Sequence, residues 1–187
     1  MSSFTFNKLY VIESLQIGDK LTGTELYNDL LKWKEFEHDG KFKAELLTIN
    51  NKVDFFNLLD SIKQECIEQK CFPMIHLEIH GSTEHDGLVL KSKELVSWNE
   101  IYESLIEINS IIGNNLFLTL AVCHGAYLMQ LIKLDKPAPF WGFIGSFDSI
   151  KVSDLMIRYY EFYKEFFTSF NLNLAFYKLC KSNPDIP

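Results

Sequence analysis

FPMIHLEIH at residues 72–80 and LFLTLAVC at residues 116–123 are both predicted to form strands of one sheet. In each run every second residue is aliphatic, and the residues between them are of mixed character. Successive side chains of a strand point to opposite faces, so each strand has one aliphatic face and one mixed face. His80 and Cys123 lie on the mixed faces, where the two runs end. Two reactive side chains are therefore predicted at corresponding places.

The rest of the chain alternates between strand and helix patterns. Further strands are predicted at 8–15, 43–49 and 140–147, with a short extra strand at 88–90 after a turn. Helices are predicted at 25–36, 51–66, 98–112, 125–134, 154–170 and 173–181, the first of them capped by Thr24. This alternation predicts an α/β fold with a mostly parallel central sheet and helices on both faces. Functional residues of such sheets lie beyond the carboxyl ends of the strands.

Length and composition limit the possible classes of protein. A chain of 187 residues suits a single domain, predicted to span 1–187 with a polar tail at 181–187. The net charge is −7 and Arg158 is the only arginine, so nucleic acid is not expected as a partner. The sequence has no apolar run long enough to cross a membrane, and its first residues lack a signal-peptide pattern. We therefore expect a cytoplasmic protein that does not bind membranes and keeps its cysteines reduced.

His80-Gly81 and Cys123-His124-Gly125 predict a thiol–imidazole pair if their strands are neighbours. Adjacent strands lie about 4.8 Å apart, which brings their terminal side chains within reach of each other. The helix predicted from Gly125 would place its positive N-terminus at Cys123 and favour a nucleophilic thiolate. The backbone N–H groups of Gly81 and Cys123 would then form an oxyanion hole. Each residue by itself has an ordinary structural explanation, but their joint placement favours catalysis.

Five blocks of the sequence, in this order, resemble the caspase-like cysteine proteases, and among them the CHAT branch. They are IHLEIHGSTEHDGLVL (75–90), SWNEIYESL (97–105), LFLTLAVCHGAYL (116–128), APFWGFIGSFDSI (138–150) and SDLMIRYYEFYKEFFTSFNLNLAFYKLC (153–180). The likeness covers roughly residues 9–181 and is more specific in the second half of the chain. The 43 positions from His80 to Cys123 are close to the spacing of about fifty in caspases.

The resemblance implies a three-layer caspase-like fold and hydrolysis of peptide bonds through an acyl-enzyme, without a cofactor. Cys123 matches the family's nucleophile and His80 its catalytic histidine, while Gly81 and Cys123 match the positions whose amides form the oxyanion hole. A protein substrate and a regulatory partner protein are implied, in a bacterial defence or signalling system. The alternative is a catalytically inactive scaffold or interaction protein. The aromatic helix at 154–170 would then be a partner surface rather than part of the core.

Substrate selection departs from two branches of the family. Classical caspases select aspartate through arginines, and Arg158 lies on a predicted helix, so aspartate specificity is not expected. Metacaspases select basic residues and carry an acid two positions before the cysteine, where this chain has Ala121. Ala121 and Asp148 are the candidate residues of the substrate pocket. Asp148 has the charge to hold a lysine or arginine, but it can equally be a solvated turn residue.

A metal site and a nucleotide site are weaker interpretations. His76, Glu78 and His80 share one strand face, but residues two apart lie about 6.6–6.8 Å from each other, which strains a tetrahedral zinc site. His85 and His124 would be the further ligands. No glycine-rich phosphate loop follows the first strand, which disfavours nucleotide binding. We expect neither a metal nor a cofactor.

Overall fold

The computed structural model describes residues 4–182, which are arranged around one seven-stranded sheet. The strands are β1 (Lys8–Ser14), β2 (Lys43–Thr48), β3 (Pro73–Gly81), β4 (Gly87–Val89), β5 (Leu95–Ser97), β6 (Phe117–Ala121) and β7 (Gly142–Ile144). Five of them are parallel, in the order β2-β1-β3-β6-β7. β4 and β5 form an antiparallel hairpin that continues from the end of β3. The carboxyl ends of the five parallel strands therefore meet at one edge of the sheet.

Helices connect the parallel strands and cover the sheet on both faces, as an α/β fold requires. They are α1 (Thr22–Leu26), α2 (Lys32–Glu37), α3 (Lys52–Gln69), α4 (Trp98–Ile111), α5 (Val152–Ser169) and α6 (Leu172–Lys181). A π-helical segment, Tyr27–Leu31, joins α1 to α2, and a 3₁₀ helix, Gly125–Leu131, follows β6. Ser97 begins α4 with a capping box, because its side chain and Glu100 satisfy each other's backbone N–H groups.

The aliphatic faces predicted for β3 and β6 pack against α3 and α4. Ile75, Leu77 and Leu118 belong to one buried cluster that includes Phe55 of α3 and Leu105 of α4. All five side chains are at most 2% exposed, so each contributes about 1.5–3 kcal/mol of burial. The predicted assignment of strand faces is confirmed by this packing.

The mixed faces of the same strands lie against the aromatic helix α5. Met74 and Phe117 share a second buried cluster with Phe162 and Tyr163. The Tyr163 hydroxyl is 2.8 Å from Thr119 Oγ1, and burial raises the pKa of this tyrosine. One side of α5 is therefore part of the core.

The structure departs from several of the predicted elements. The short strand β5 was not predicted, because three residues carry too little pattern to be recognised. The helix predicted at 125–134 is a 3₁₀ helix of seven residues. The helix predicted at 173–181 is α6, which begins one residue earlier, at Leu172, and residues 183–187 of the predicted tail lie outside the described part of the chain.

Thr24 does not cap the first helix, because the helix begins earlier, at Thr22. The Thr24 backbone N–H and hydroxyl donate instead to the two carboxylate oxygens of Glu13, at 2.9 and 2.8 Å. Glu13 is a buried residue of β1, so a carboxylate from the sheet satisfies the first turn of this helix. The sequence pattern correctly predicts the helix and misses its first turn, because the capping group is distant in sequence.

Candidate active site

His80 and Cys123 come together at the carboxyl ends of two adjacent parallel strands. In the β3–β6 pair, His76 is opposite Thr119 and Glu78 is opposite Ala121. His80 and Cys123 each follow this last pair by two residues, where the regular pairing has ended. Both side chains line one narrow cleft of about 90 Å³. Both candidate residues therefore border the same cleft.

Gly81 lies directly against the backbone of Cys123. A Cβ atom built on Gly81 would stand 1.8 Å from the Cys123 carbonyl oxygen, so a side chain at this position has no room. The next residue, Ser82, donates its N–H to the Gly87 carbonyl at 2.9 Å. Because backbone groups of an antiparallel strand alternate in direction, the Gly81 N–H points away from β4. An amide donor is thereby placed close to the Cys123 peptide.

Cys123 occupies a tight turn rather than the end of a regular strand. β6 ends at Ala121, and the backbone of His124 is left-handed, with φ of 60°. Gly125 then begins the 3₁₀ helix, which is too short to place a large helix dipole at the thiol. The Cys123 side chain is half-buried, and its Sγ–H donates to the Ile150 carbonyl at 3.8 Å. This turn, and not a long helix, presents the sulfur to the cleft.

Asp19 is a third residue of the site, and the sequence interpretation missed it. His80 Nε2 is 2.7 Å from Asp19 Oδ2, and a carboxylate can only accept, so the histidine donates. The neutral imidazole then carries its proton on Nε2 and its lone pair on Nδ1. The Gln16 N–H also donates to Asp19 Oδ2, at 2.7 Å. The hydrogen bond from His80 holds the pKa of the Asp19 carboxyl below its usual value. Asp19 follows β1 at the same sheet edge, which is the signal that could have identified it.

Asp19→Asn is expected to slow alkylation of Cys123 at least tenfold, because the amide no longer orients His80 or stabilises its charged form. The stability difference from wild type has a defined pH dependence. The pKa of Asp19 is lower in the folded protein than in the unfolded chain. Asp19 therefore contributes fully to the free energy of unfolding above its ordinary pKa of about 3.9, and this contribution is lost as the pH falls below that value. Denaturant unfolding at pH 7, 4 and 3 measures this difference, which should shrink toward pH 3. If the stability difference between Asp19→Asn and wild type does not change with pH, and alkylation of Cys123 is unchanged, Asp19 is not part of the site.

His124 is held away from the catalytic role by its own hydrogen bonds. Its Nδ1 is 2.8 Å from the Phe147 carbonyl, so Nδ1 donates and Nε2 accepts from the Ser149 hydroxyl at 3.0 Å. Its ring also packs on His85, with 3.9 Å between ring centroids. These contacts tie the loop after β7 to the turn that carries Cys123. His80 is consequently the histidine in position to act on the thiol.

His76 and Glu78 belong to a buried hydrogen-bond network. His76 Nδ1 is 2.7 Å from Thr119 Oγ1, and its Nε2 is 3.1 Å from Glu78 Oε1. The Thr22 hydroxyl donates to the other Glu78 oxygen at 2.6 Å. In the described range 4–182, no group of three or more His, Cys, Asp or Glu residues could hold a metal ion. The zinc ligands weighed in the sequence analysis are thus not assembled into a site.

The two candidate pocket residues have different positions. Ala121 lines the cleft together with His80 and Cys123. Asp148 is exposed in the loop after β7, where its carbonyl accepts from the His124 N–H at 3.4 Å, and it lies outside the cleft lining. Two carboxylates line the cleft, those of Asp19 and Glu78, and Glu78 is 3% exposed. Because Glu78 lies inside the predicted strand 72–80, the sequence interpretation did not assign it to the pocket.

A larger cavity of about 350 Å³ adjoins the cleft and shares Lys20, Thr22 and Glu78 with it. Its walls combine apolar side chains, two tyrosines and four carboxylates. The carboxylates are Glu25, Asp29, Glu78 and Glu161, against the single ammonium group of Lys20, which already pairs with Glu25 at 3.2 Å. The charged groups of this adjoining cavity are therefore predominantly negative.

The chain matches no protein-family model and has no significant match among curated proteins. In the part of the chain that the structure describes, no helix is both long and apolar enough to cross a membrane.

Proposed function

We propose that the protein is a cysteine peptidase of the caspase-like type, with Cys123 as nucleophile, His80 as general base and acid, and Asp19 orienting His80. The observation that carries this proposal is the shared cleft, in which an oriented imidazole and a half-buried thiol stand at adjacent strand ends. The mostly parallel sheet with helices on both faces is consistent with the three-layer fold that the resemblance implies. Nucleophile, base and orienting acid are the three parts that covalent acyl transfer requires.

The reaction follows from these positions. His80 Nδ1 takes the thiol proton of Cys123, and the sulfur attacks the carbonyl carbon of the scissile peptide bond. The amides of Gly81 and Cys123 stabilise the oxyanion. His80 then gives its proton to the leaving amine as the C–N bond breaks, which leaves a thioester on Cys123. Water, losing a proton to His80, attacks the thioester, and the C–S bond breaks to release the acid and the thiol.

Regulation by a partner protein is part of the proposal. In the described conformation the Cys123 Sγ–H donates to the Ile150 carbonyl, so this hydrogen bond must break before the proton can pass to His80. Ile150 lies just before α5, in the same loop whose backbone and side chains hold His124. A partner that moves this loop would release the thiol.

The substrate we propose has lysine or arginine before the scissile bond. Glu78 lies two residues before His80 and lines both the cleft and the adjoining cavity. Its buried carboxylate attracts a cation strongly, because little water screens it there. Tyr159 and Tyr160 line the cavity and supply aromatic surface for the side-chain stem or a guanidinium group. This assigns to Glu78 the charge role for which Asp148 was the sequence candidate.

Peptidyl acyloxymethyl ketones test both the nucleophile and the specificity, because they alkylate the active cysteine of such peptidases. Three acetylated dipeptide ketones, ending in Lys, Leu or Asp, are compared by intact mass and peptide mapping. The Lys ketone is expected to modify Cys123 at least ten times faster than Cys180, although Cys180 is more exposed. Glu78→Gln should lower the preference for Lys over Leu about tenfold, since a charged hydrogen bond becomes a neutral one.

Asp148→Asn is the matched control for charge, because Asp148 lies in the neighbouring loop but outside the cleft. It should leave the preference for Lys over Leu unchanged. Equal modification of Cys123 and Cys180 by every ketone would contradict the peptidase proposal and favour the inactive scaffold. Loss of the preference in Asp148→Asn, and not in Glu78→Gln, would move the pocket to Asp148.

A further inference from the structure

A separate cavity of about 340 Å³ lies between the loop after β7, the 3₁₀ helix and the last two helices, α5 and α6. Its wall is mainly apolar, and several of the side chains that form it are Ala126, Met129, Ile144, Phe147, Phe176 and Leu179. Met129, Phe147 and Phe176 are 44%, 52% and 51% exposed, so apolar surface is open to solvent at this wall. Among residues 4–182, Arg158 of α5 is the one charged side chain in the lining.

Arg158 has no ion-pair or hydrogen-bond partner among residues 4–182. Its Nε atom is buried and unpaired. The two acids closest to it along α5 are engaged elsewhere, since Asp154 accepts from Ser153 and Glu161 pairs with Lys164 at 3.7 Å. The chain carries 25 acidic residues and a net charge of −7, so an unpaired guanidinium is not explained by a shortage of carboxylates. A buried donor without an acceptor is costly unless a ligand completes it.

We propose that this cavity binds an apolar carboxylate, with the carboxylate on Arg158 and a hydrocarbon or aromatic group against the apolar wall. The planar guanidinium matches a carboxylate with two parallel hydrogen bonds, and a bound oxygen would give Nε the acceptor it lacks. The volume accommodates a group of the size of one large hydrophobic side chain with its carboxyl group. A small organic acid and the C-terminal residue of a peptide both have this chemistry.

The site is distinct from the cleft of Cys123. Ile150 lines both spaces and stands between them, whereas His80 and Cys123 line the cleft and Arg158 lines the cavity. A ligand on Arg158 therefore does not need a reactive Cys123. Carboxylate binding at Arg158 does not depend on peptidase activity, so it can be tested on a variant without the nucleophile.

The test uses the full chain with Cys123→Ser, so that thiol labelling reports on Cys180, an exposed residue of the cavity wall. Titration calorimetry compares 4-phenylbutanoate with 4-phenylbutanamide, which has nearly the same shape and no charge. The acid is expected to bind at least tenfold more tightly than the amide and to slow iodoacetamide labelling of Cys180. The tripeptide acetyl-Ala-Ala-Phe, compared with its C-terminal amide, distinguishes a peptide C-terminus from a small acid as the preferred source.

Arg158→Met removes the charge and keeps a long apolar side chain, so it should reduce binding of the acid to the level of the amide. Lys178→Met, at an exposed position of α6 outside the cavity wall, removes the same charge and should leave binding unchanged. Equal binding of acid and amide by the Cys123→Ser chain would overturn the proposal, whether or not Arg158→Met folds. Equal loss of binding in both charge variants would also overturn it.

Discussion

His80→Ala is expected to slow alkylation of Cys123 by iodoacetamide about 100-fold at pH 7, while the protein stays folded. The imidazole is the base that accepts the thiol proton, and general-base catalysis contributes roughly 10²–10⁴-fold. His80 is partly exposed and its Nε2 bonds to Asp19 at the surface, so its removal leaves no large cavity in the core. Rates at each cysteine are measured by peptide mapping after timed labelling.

His85→Asn is the matched control for this variant. His85 lies in the loop after β3 and packs on His124, but it is not part of the Cys123–His80 pair. Its backbone is left-handed, with φ of 61°, and asparagine tolerates this conformation better than alanine does. Labelling of Cys123 in this control should stay within about threefold of wild type. An equal effect of both substitutions would mean that His80 is not the specific base.

Cys71 serves as an internal reference in the same experiment. The interaction with Cys66 lowers the pKa of the Cys71 thiol below its ordinary value. Its side chain is only 5% exposed, however, and its labelling therefore reports opening of the structure. Faster labelling of Cys71 in His80→Ala would show that the variant is destabilised. Unchanged labelling of Cys71, with slow labelling of Cys123, assigns the effect to the imidazole.

Gly81→Ala is expected to lower stability by about 3 kcal/mol and to slow Cys123 alkylation at least tenfold. The added Cβ would stand 1.8 Å from a backbone oxygen, which cannot rotate away as a flexible side chain can. The Cys123 turn must shift instead, at the cost typical of overpacking in a dense interior. For a chain of this length, that corresponds to a decrease in Tm of about 6–12 °C. Thermal unfolding and timed labelling measure the two effects.

Gly23→Ala is the matched control for Gly81→Ala. It adds the same Cβ atom at a glycine whose nearest neighbours are side-chain atoms rather than backbone atoms. A Cβ at Gly23 would be 3.0–3.1 Å from atoms of Glu13, Glu78 and Val11, so small adjustments relieve the contact. Gly23 lies within α1, where alanine also favours the helix. The decrease in Tm should be smaller than for Gly81→Ala, and Cys123 should keep its reactivity. A Gly81→Ala protein with wild-type stability and reactivity would show that Gly81 is not needed against Cys123.

The strands and their faces were predictable because both follow from local pattern. Alternation in 72–80 and 116–123 places each side chain on a face whatever the partner strand is, and the packing of Ile75 and Leu118 confirms those faces. Helix termini were harder to predict. Asn51 caps α3 through its own side chain, whereas the first turn of α1 is satisfied by Glu13, which is distant in sequence.

The sequence by itself determined the alternation of strands and helices, the mixed faces of β3 and β6, and the choice of Cys123 and His80 as candidates. Only the tertiary structure decided what surrounds them. Asp19 reaches His80 across 61 positions, and Glu78 rather than Asp148 lines the cleft. The physical reason is that periodicity specifies the direction of a side chain relative to its own backbone. Its neighbours across the sheet depend on strand order and on how the loops pack at the sheet edge.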